Sequence, residues 1–220
     1  RIYFALTNRC NRACPWCSTY SSPSKLTFLT LDAFTAAIPV ELDTEVQLEG
    51  GEPTVHPEFW RFVEAARARP RMRRIILCTN GVRLPRQAEK LEAWIRRLGT
   101  PLTLKLSINH HLLGEDPGLL DLAEMLRTLF EKNSALRLIL NVRLRKTAPD
   151  QDQWVVDAVT KAGLLPWANV FFLQRYGLAS SEREWEKPFI VSNQFKMLNP
   201  DGHEAGTDLL ERSEAMGRLP

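Results

Sequence analysis

Cys10, Cys14 and Cys17 fall within eight residues, separated by gaps of three and two. Thiolates are soft ligands, suited to zinc or to iron–sulfur clusters. A structural zinc site generally takes four protein ligands, but Cys78 and the histidines are remote from this loop in sequence. Three thiolates fit a cubane cluster whose fourth iron is open to a small molecule, and a closed zinc loop is the rival reading. A secreted disulfide protein would spread its cysteines in pairs, so a cytoplasmic metal or redox site is expected. Gly50-Gly51-Glu52-Pro53 is the second unusual group. Alone, it reads as a tight turn between strand and helix. It is not a dinucleotide fingerprint, because G-x-G-x-x-G is absent.

The elements that must position these residues alternate between strand and helix. Apolar runs predict strands at 2–6, 45–48, 74–78, 102–108, 136–144 and 170–173. Helical spacing appears at Leu31, Phe34 and Ile38, with Thr30 or Asp32 at its N-terminus. It recurs at Phe59, Phe62, Val63 and Ala66, at Ala88, Leu91, Ile95 and Leu98, at Leu119, Leu122, Ala123 and Leu126, and at Val155, Ala158, Val159 and Ala162. Six strands separated by helices imply parallel pairing with right-handed crossovers. The expected class is α/β, a partial (β/α)6 barrel with one core over 1–176. A short irregular extension, 177–220, is expected to cover the barrel or the substrate side, with one helix near 208–216.

In parallel α/β folds, functional groups gather at the carboxyl ends of the strands. The cysteine loop follows the first strand and Glu49 to Pro53 the second. Thr79-Asn80-Gly81 follows the third. Ser107, Asn109, His110 and His111 end the fourth, Arg143 and Arg145 the fifth, and Gln174, Arg175 and Tyr176 the sixth. Cys78, on an apolar strand, reads as a buried inert thiol. At least two of Phe171, Phe172 and Leu173 are expected to pack in the core.

Thr7-Asn8-Arg9-Cys10-Asn11-Arg12-Ala13-Cys14-Pro15-Trp16-Cys17 resembles the C-x3-C-x-aromatic-C signature of the radical S-adenosylmethionine (SAM) enzymes, with Trp16 at the aromatic position. Gly50-Gly51-Glu52-Pro53 resembles the GGEP motif of the same superfamily. The resemblance implies one four-iron four-sulfur cluster held by Cys10, Cys14 and Cys17, with SAM chelating the open iron. It implies that Gly50 and Gly51, lacking Cβ, let backbone approach the methionine end of SAM. The carbonyls of Gly50 and Gly51 and the Glu52 region would accept from its ammonium, and Pro53 would stiffen the turn. Trp16, Ser107 and Asn109 are further cofactor candidates, and Arg143 suits the SAM carboxylate because a guanidinium matches it bidentately. His110, His111, Gln174 and Arg175 are candidate substrate contacts. The implied reaction cleaves SAM reductively and abstracts hydrogen from a small metabolite, nucleobase or peptide, with a donor such as flavodoxin or ferredoxin. A glycyl-radical activase with a protein partner is the alternative within the class. A non-catalytic zinc-binding interaction module is the alternative outside it.

Composition narrows the setting. The chain has 220 residues, 44% hydrophobic and 25% charged, which suits a packed core rather than disorder. Its formal charge of +3 is too small to indicate nucleic acid. The run Arg67, Arg69, Arg71, Arg73 and Arg74 is expected at the amino end of the sheet, away from the chemistry, as a solvated face. No apolar run approaches the roughly 18 to 20 residues of a membrane span, and no export leader is visible, so a cytoplasmic location is expected. Four cysteines cannot hold a second all-cysteine cluster.

Overall fold

The computed structural model describes residues 1–173, 177–181, 196–205 and 209–220. The class is α/β, with a mostly parallel central sheet that does not close. The chain divides into two compact units. One comprises Arg1–Leu77 and Gln174–Pro220, the other Cys78–Leu173. No helix among the described residues is long and apolar enough to cross a membrane.

The first unit is built on β1 (Ile2–Thr7), which pairs in parallel with β2 (Thr44–Gly50) on one side and β7 (Lys196–Leu198) on the other. β2 pairs in parallel with β3 (Met72–Thr79), and the short β8 (Glu204–Ala205) runs antiparallel to β7. Helices α1 (Leu31–Ala37) and α2 (Phe59–Arg67) cover one face of this sheet. Thr30 caps α1, its hydroxyl accepting from Ala33 N–H at 3.3 Å. Phe4, Phe34 and Phe62 are fully buried, with ring centroids 4.4 Å apart for the first pair and 4.9 Å for the second. Successive strand residues point to opposite faces. Phe4 and its register partner Leu48 therefore face the helices, while Tyr3, Ala5, Gln47 and Glu49 share the other face. Helix α7 (Leu209–Arg218) reaches that second face through Arg212 and Glu49. β7, β8 and α7 give the extension more regular structure than its composition suggests.

The second unit carries β4 (Leu102–Ile108), β5 (Leu136–Leu144) and β6 (Ala168–Phe172), paired in parallel in that order. Its helices are α3 (Ala88–Leu98), α4 (His110–Glu115), α5 (Leu119–Phe130) and α6 (Pro149–Lys161). Leu102, Leu104, Leu106 and Ile108 are fully buried, as are Leu122, Ala123 and Leu126 of α5. Lys105 and Ser107 alternate out of this core and are half-buried. Helix α4 is absent from the sequence expectation because six residues are too few to show a periodicity.

Two expectations are corrected. Of Phe171, Phe172 and Leu173, only Leu173 is buried, and Phe172 is 52% exposed. Among the described residues β6 ends the sheet, and Asn169, Val170 and Phe172 on its two faces are exposed. Cys78 is half-buried rather than enclosed.

Candidate metal centre

The cysteine loop leaves β1 at Thr7 and is pinned along its length. Asn8, fully buried, accepts from Thr27 N–H at 3.0 Å through its side-chain carbonyl and donates to the Pro220 carbonyl at 2.9 Å. The Cys10 N–H donates to Ser22 O at 3.0 Å, and the Cys17 N–H to Cys14 O at 3.2 Å. Trp16, between the second and third cysteines, is only 8% exposed and anchors the loop in the apolar interior.

Cys10 is buried, while Cys14 and Cys17 are half-buried. The Cys17 Sγ accepts from Ser21 N–H at 3.4 Å and lies 3.4 Å from the Thr19 hydroxyl, which in turn lies 2.9 Å from Ser21 Oγ. Burial pushes the Cys10 thiol up to about 12, with smaller pushes in the same direction from Glu52, Cys17 and Cys14. A Cys10 thiolate is thus disfavoured unless a cation binds it. Among the described residues, no three His, Cys, Asp or Glu side chains converge on one ion-sized point. Thiolates on three corners of a cubane each bind a different iron and need not converge. The donor set fits a cluster: three soft sulfur ligands on one loop, one of them with a backbone N–H to its sulfur.

The Gly50-Gly51-Glu52-Pro53 turn packs directly against this loop. Gly51 N–H donates to Thr7 O at 2.7 Å and Glu52 N–H to Arg9 O at 2.9 Å. Gly50 has φ +127°, and a Cβ there would lie 2.4 Å from Thr7 O. At Gly51 a Cβ would lie 2.2 Å from Arg9 O. The glycines are therefore required by protein backbone, a reason distinct from the ligand approach expected from sequence. Glu52, 1% exposed, accepts from Thr54 N–H at 3.2 Å and from its hydroxyl at 2.6 Å, capping the one-turn helix Pro53–Val55. Pro53 fits the first position of that turn, where no N–H is needed.

The C-terminal segment holds the same loop from the other side. Leu178 N–H donates to Cys17 O at 2.9 Å, and Gly177 lies so close that a Cβ would be 2.4 Å from that oxygen. Ser213 Oγ donates to Ser18 O at 2.6 Å. Gly217 lies against the Tyr20 ring, where a Cβ would come within 2.9 Å. Thr19, Ser21, Gly177, Ser213 and Gly217 have no counterpart in the sequence reading. No local spacing signals a contact across 195 residues.

The remaining candidates among the described residues belong to the second unit. Ser107 pairs in register with Asn141, and Arg143 lies two residues on, so the three share one face of β4 and β5. The Arg143 guanidinium sits 6.0 Å from the Phe171 ring centroid. Asn109 is 3% exposed, and its side-chain carbonyl accepts from Leu112 N–H at 2.9 Å, capping α4. His110 makes an edge contact with Trp154 at 5.3 Å, and His111 is half-buried. Thr79-Asn80-Gly81 is a turn closed by its own side chains. Gly81 N–H donates to Thr79 Oγ1 at 3.0 Å and Val82 N–H to Asn80 Oδ1 at 3.1 Å. Gln174, Arg175 and Tyr176 lie outside the described residues.

Residues 4–103, which include the cysteine loop and the glycine turn, match the family model of the Radical SAM superfamily. A GTP 3',8-cyclase from Mannheimia succiniciproducens is 35% identical over 95 residues, 40% of this chain and 28% of that relative. The chain spans less than a third of the length of the first curated relatives it matches. The fold resembles that of Streptococcus suis SuiB, solved with its precursor peptide SuiA, at a TM-score of 0.59 and 13% identity, over 84% of this chain and 42% of SuiB. It also resembles that of BtrN, solved with AdoMet and 2-DOIA, at a TM-score of 0.50 and 14% identity, over 99% of this chain and 74% of BtrN. The superfamily uses a four-iron four-sulfur cluster and SAM, and the thiols of this loop fit such a cluster. By the match over residues 4–103, which contain both motifs, that region of the chain is a radical SAM domain.

Proposed function

We propose that this chain is the catalytic core of an enzyme that cleaves SAM reductively and abstracts hydrogen from a small metabolite, nucleobase or peptide. When bound, the cluster would supply the electron for reductive cleavage of SAM and hence the chemistry of hydrogen abstraction from a substrate carbon. Cys10, Cys14 and Cys17 would hold the cluster. The backbone of Gly50 to Pro53, braced on Thr7 and Arg9, offers acceptors to the methionine end. Trp16 excludes water behind the loop. The roles expected of Ser107, Asn109 and Arg143 toward SAM, and of His110 and His111 toward substrate, belong to the same proposal. A one-electron donor such as flavodoxin or ferredoxin supplies the reductant.

The observation that carries this reading is a loop with three free thiols, Cys10 buried among them, whose backbone is bonded to the glycine turn at the end of β2. Anaerobic reconstitution with iron and sulfide, then dithionite and SAM, is expected to yield 5′-deoxyadenosine. Iron-loaded protein that forms none overturns the reading. Zinc in place of iron, tightly held and stoichiometric, would favour an interaction module instead.

A further inference from the structure

Arg212 is 6% exposed, yet only one of its nitrogens has a partner among the described residues. Its Nη1 donates to Glu49 Oε1, while the other Glu49 oxygen accepts from Gln47 Nε2. Nε and Nη2 of Arg212 are buried and have no hydrogen-bond partner among the described residues. Leaving buried donors unsatisfied is costly, so such atoms mark the place of a missing partner. The Nε/Nη2 edge of a guanidinium is a planar fork that matches a carboxylate or phosphate bidentately.

The position of the fork points to a ligand rather than to a structural defect. Glu49 is the residue before Gly50 and lies on the sheet face opposite the Phe4, Phe34 and Phe62 core. Ser213, next to Arg212, bonds the carbonyl of Ser18, the residue after Cys17. Arg212 is thus tethered through one neighbour to the cysteine loop and through Glu49 to the glycine turn. Glu49 takes up one edge of its charge and leaves the other free. We propose that Arg212 is an oxyanion-recognition residue, its free edge binding a carboxylate or phosphate of a ligand held beside these two motifs. The inference rests on the SAM-cleaving reading of the site. The oxyanion comes either from the methionine carboxylate of SAM or from an anionic substrate.

Arg212→Lys keeps the charge opposite Glu49 and removes the fork. The double variant Glu49→Gln/Arg212→Gln removes the fork without leaving a buried charge unpaired, and carries the same comparison if the lysine variant does not fold. Calorimetry on reconstituted protein uses three probes: SAM, decarboxylated SAM, and inorganic phosphate added to the SAM-loaded form. If the fork binds the cofactor, Arg212→Lys weakens SAM about tenfold or more and leaves decarboxylated SAM unchanged, as expected for a charge-assisted bidentate pair. If it binds substrate, SAM affinity is unchanged and phosphate binding falls about tenfold. Equal losses for SAM and its decarboxylated form, or no loss for any probe, overturn the proposal and leave Arg212 as a partner of Glu49 alone. Formation of 5′-deoxyadenosine by the unmodified protein tests the underlying reading separately.

Discussion

Each cysteine of the loop has one task in the proposed cluster. Cys78 is in the other compact unit, half-buried, near a turn closed by Thr79 and Asn80. Cys10→Ala, Cys14→Ala or Cys17→Ala is expected to abolish iron retention and 5′-deoxyadenosine formation, and Cys78→Ala to leave both intact. Iron analysis after anaerobic gel filtration checks this; full iron in a triad variant contradicts the assignment. Gly51 sets a different test. A Cβ 2.2 Å from Arg9 O cannot be absorbed by a side-chain rotation, since the obstacle is backbone. Gly51→Ala is expected to destabilise the apo-protein by about 1–3 kcal/mol, the range for overpacking, and to lower iron retention with it. Urea denaturation and iron content read the two together. Unchanged stability with weakened SAM binding would show that the glycine serves the ligand instead of the loop.

At the scale of elements, the cysteine loop is held by a helix some two hundred residues away in sequence. Gly217 of α7 permits the Tyr20 ring to approach, and Ser213 ties the helix to Ser18. Gly217→Val is expected to displace Tyr20 and loosen the loop, so that a chelator strips iron several-fold faster than from the unmodified protein. Gly114, in α4, is the control. Nothing lies within 4 Å of a Cβ there, so Gly114→Ala is expected to leave cluster retention unchanged and to add about 0.5–1 kcal/mol through helix propensity. Equal stripping rates in the two variants would contradict a clasping role for α7. The same helix shows where sequence reading stops. The cysteines, the glycine turn and the strand–helix alternation are local patterns, readable from spacing because 2.0 and 3.6 residue periods are properties of short segments. The bracing of Gly51 on Arg9, and of Ser18 by Ser213, is set by tertiary packing between segments whose composition carries no mutual signal. α4 was too short to show a period, and the exposure of β6 at the end of the sheet is not revealed by alternation alone.

At the scale of the whole molecule, the basic run is paired with acidic and carbonyl groups of its own unit. Arg71 and Arg73 both pair with Asp43, Arg69 donates to Thr35 O, and Arg74 faces Glu45 at 4.0 Å. Burial, reinforced by Arg74, lowers the Arg67 guanidinium to about 10. Much of the basic run is thus engaged within its own unit. A single histidine has more to say about global stability. His56 is 4% exposed and stacks edge-on against both Phe28 and Phe62, at 5.3 and 4.7 Å. Its Nδ1 accepts from Glu58 N–H at 3.1 Å, which leaves Nε2 to donate to Leu29 O at 3.0 Å. That pattern requires the neutral ring, since a second ring proton would face the Glu58 N–H. Burial accordingly lowers the His56 pKa below its usual 6.5, against smaller opposing pulls from the Leu29 hydrogen bond and Glu58. Above pH 6.5 both folded and unfolded chains carry a neutral ring, and the stabilisation is fully present. As pH falls below 6.5 the unfolded chain takes up a proton that the folded chain refuses, so stability declines until the lowered folded value is passed. The backbone N–H of His56 also closes the one-turn helix through Pro53 O at 3.1 Å. Between pH 7 and 5 the thermal midpoint of the apo-protein is expected to fall more steeply than that of His56→Gln, which cannot titrate. The variant starts lower because it loses the aromatic stacking, so the slopes and not the midpoints carry the comparison. Parallel slopes would mean that the acid sensitivity of this fold arises from its carboxylates, with His56 already able to accept its proton in the folded state.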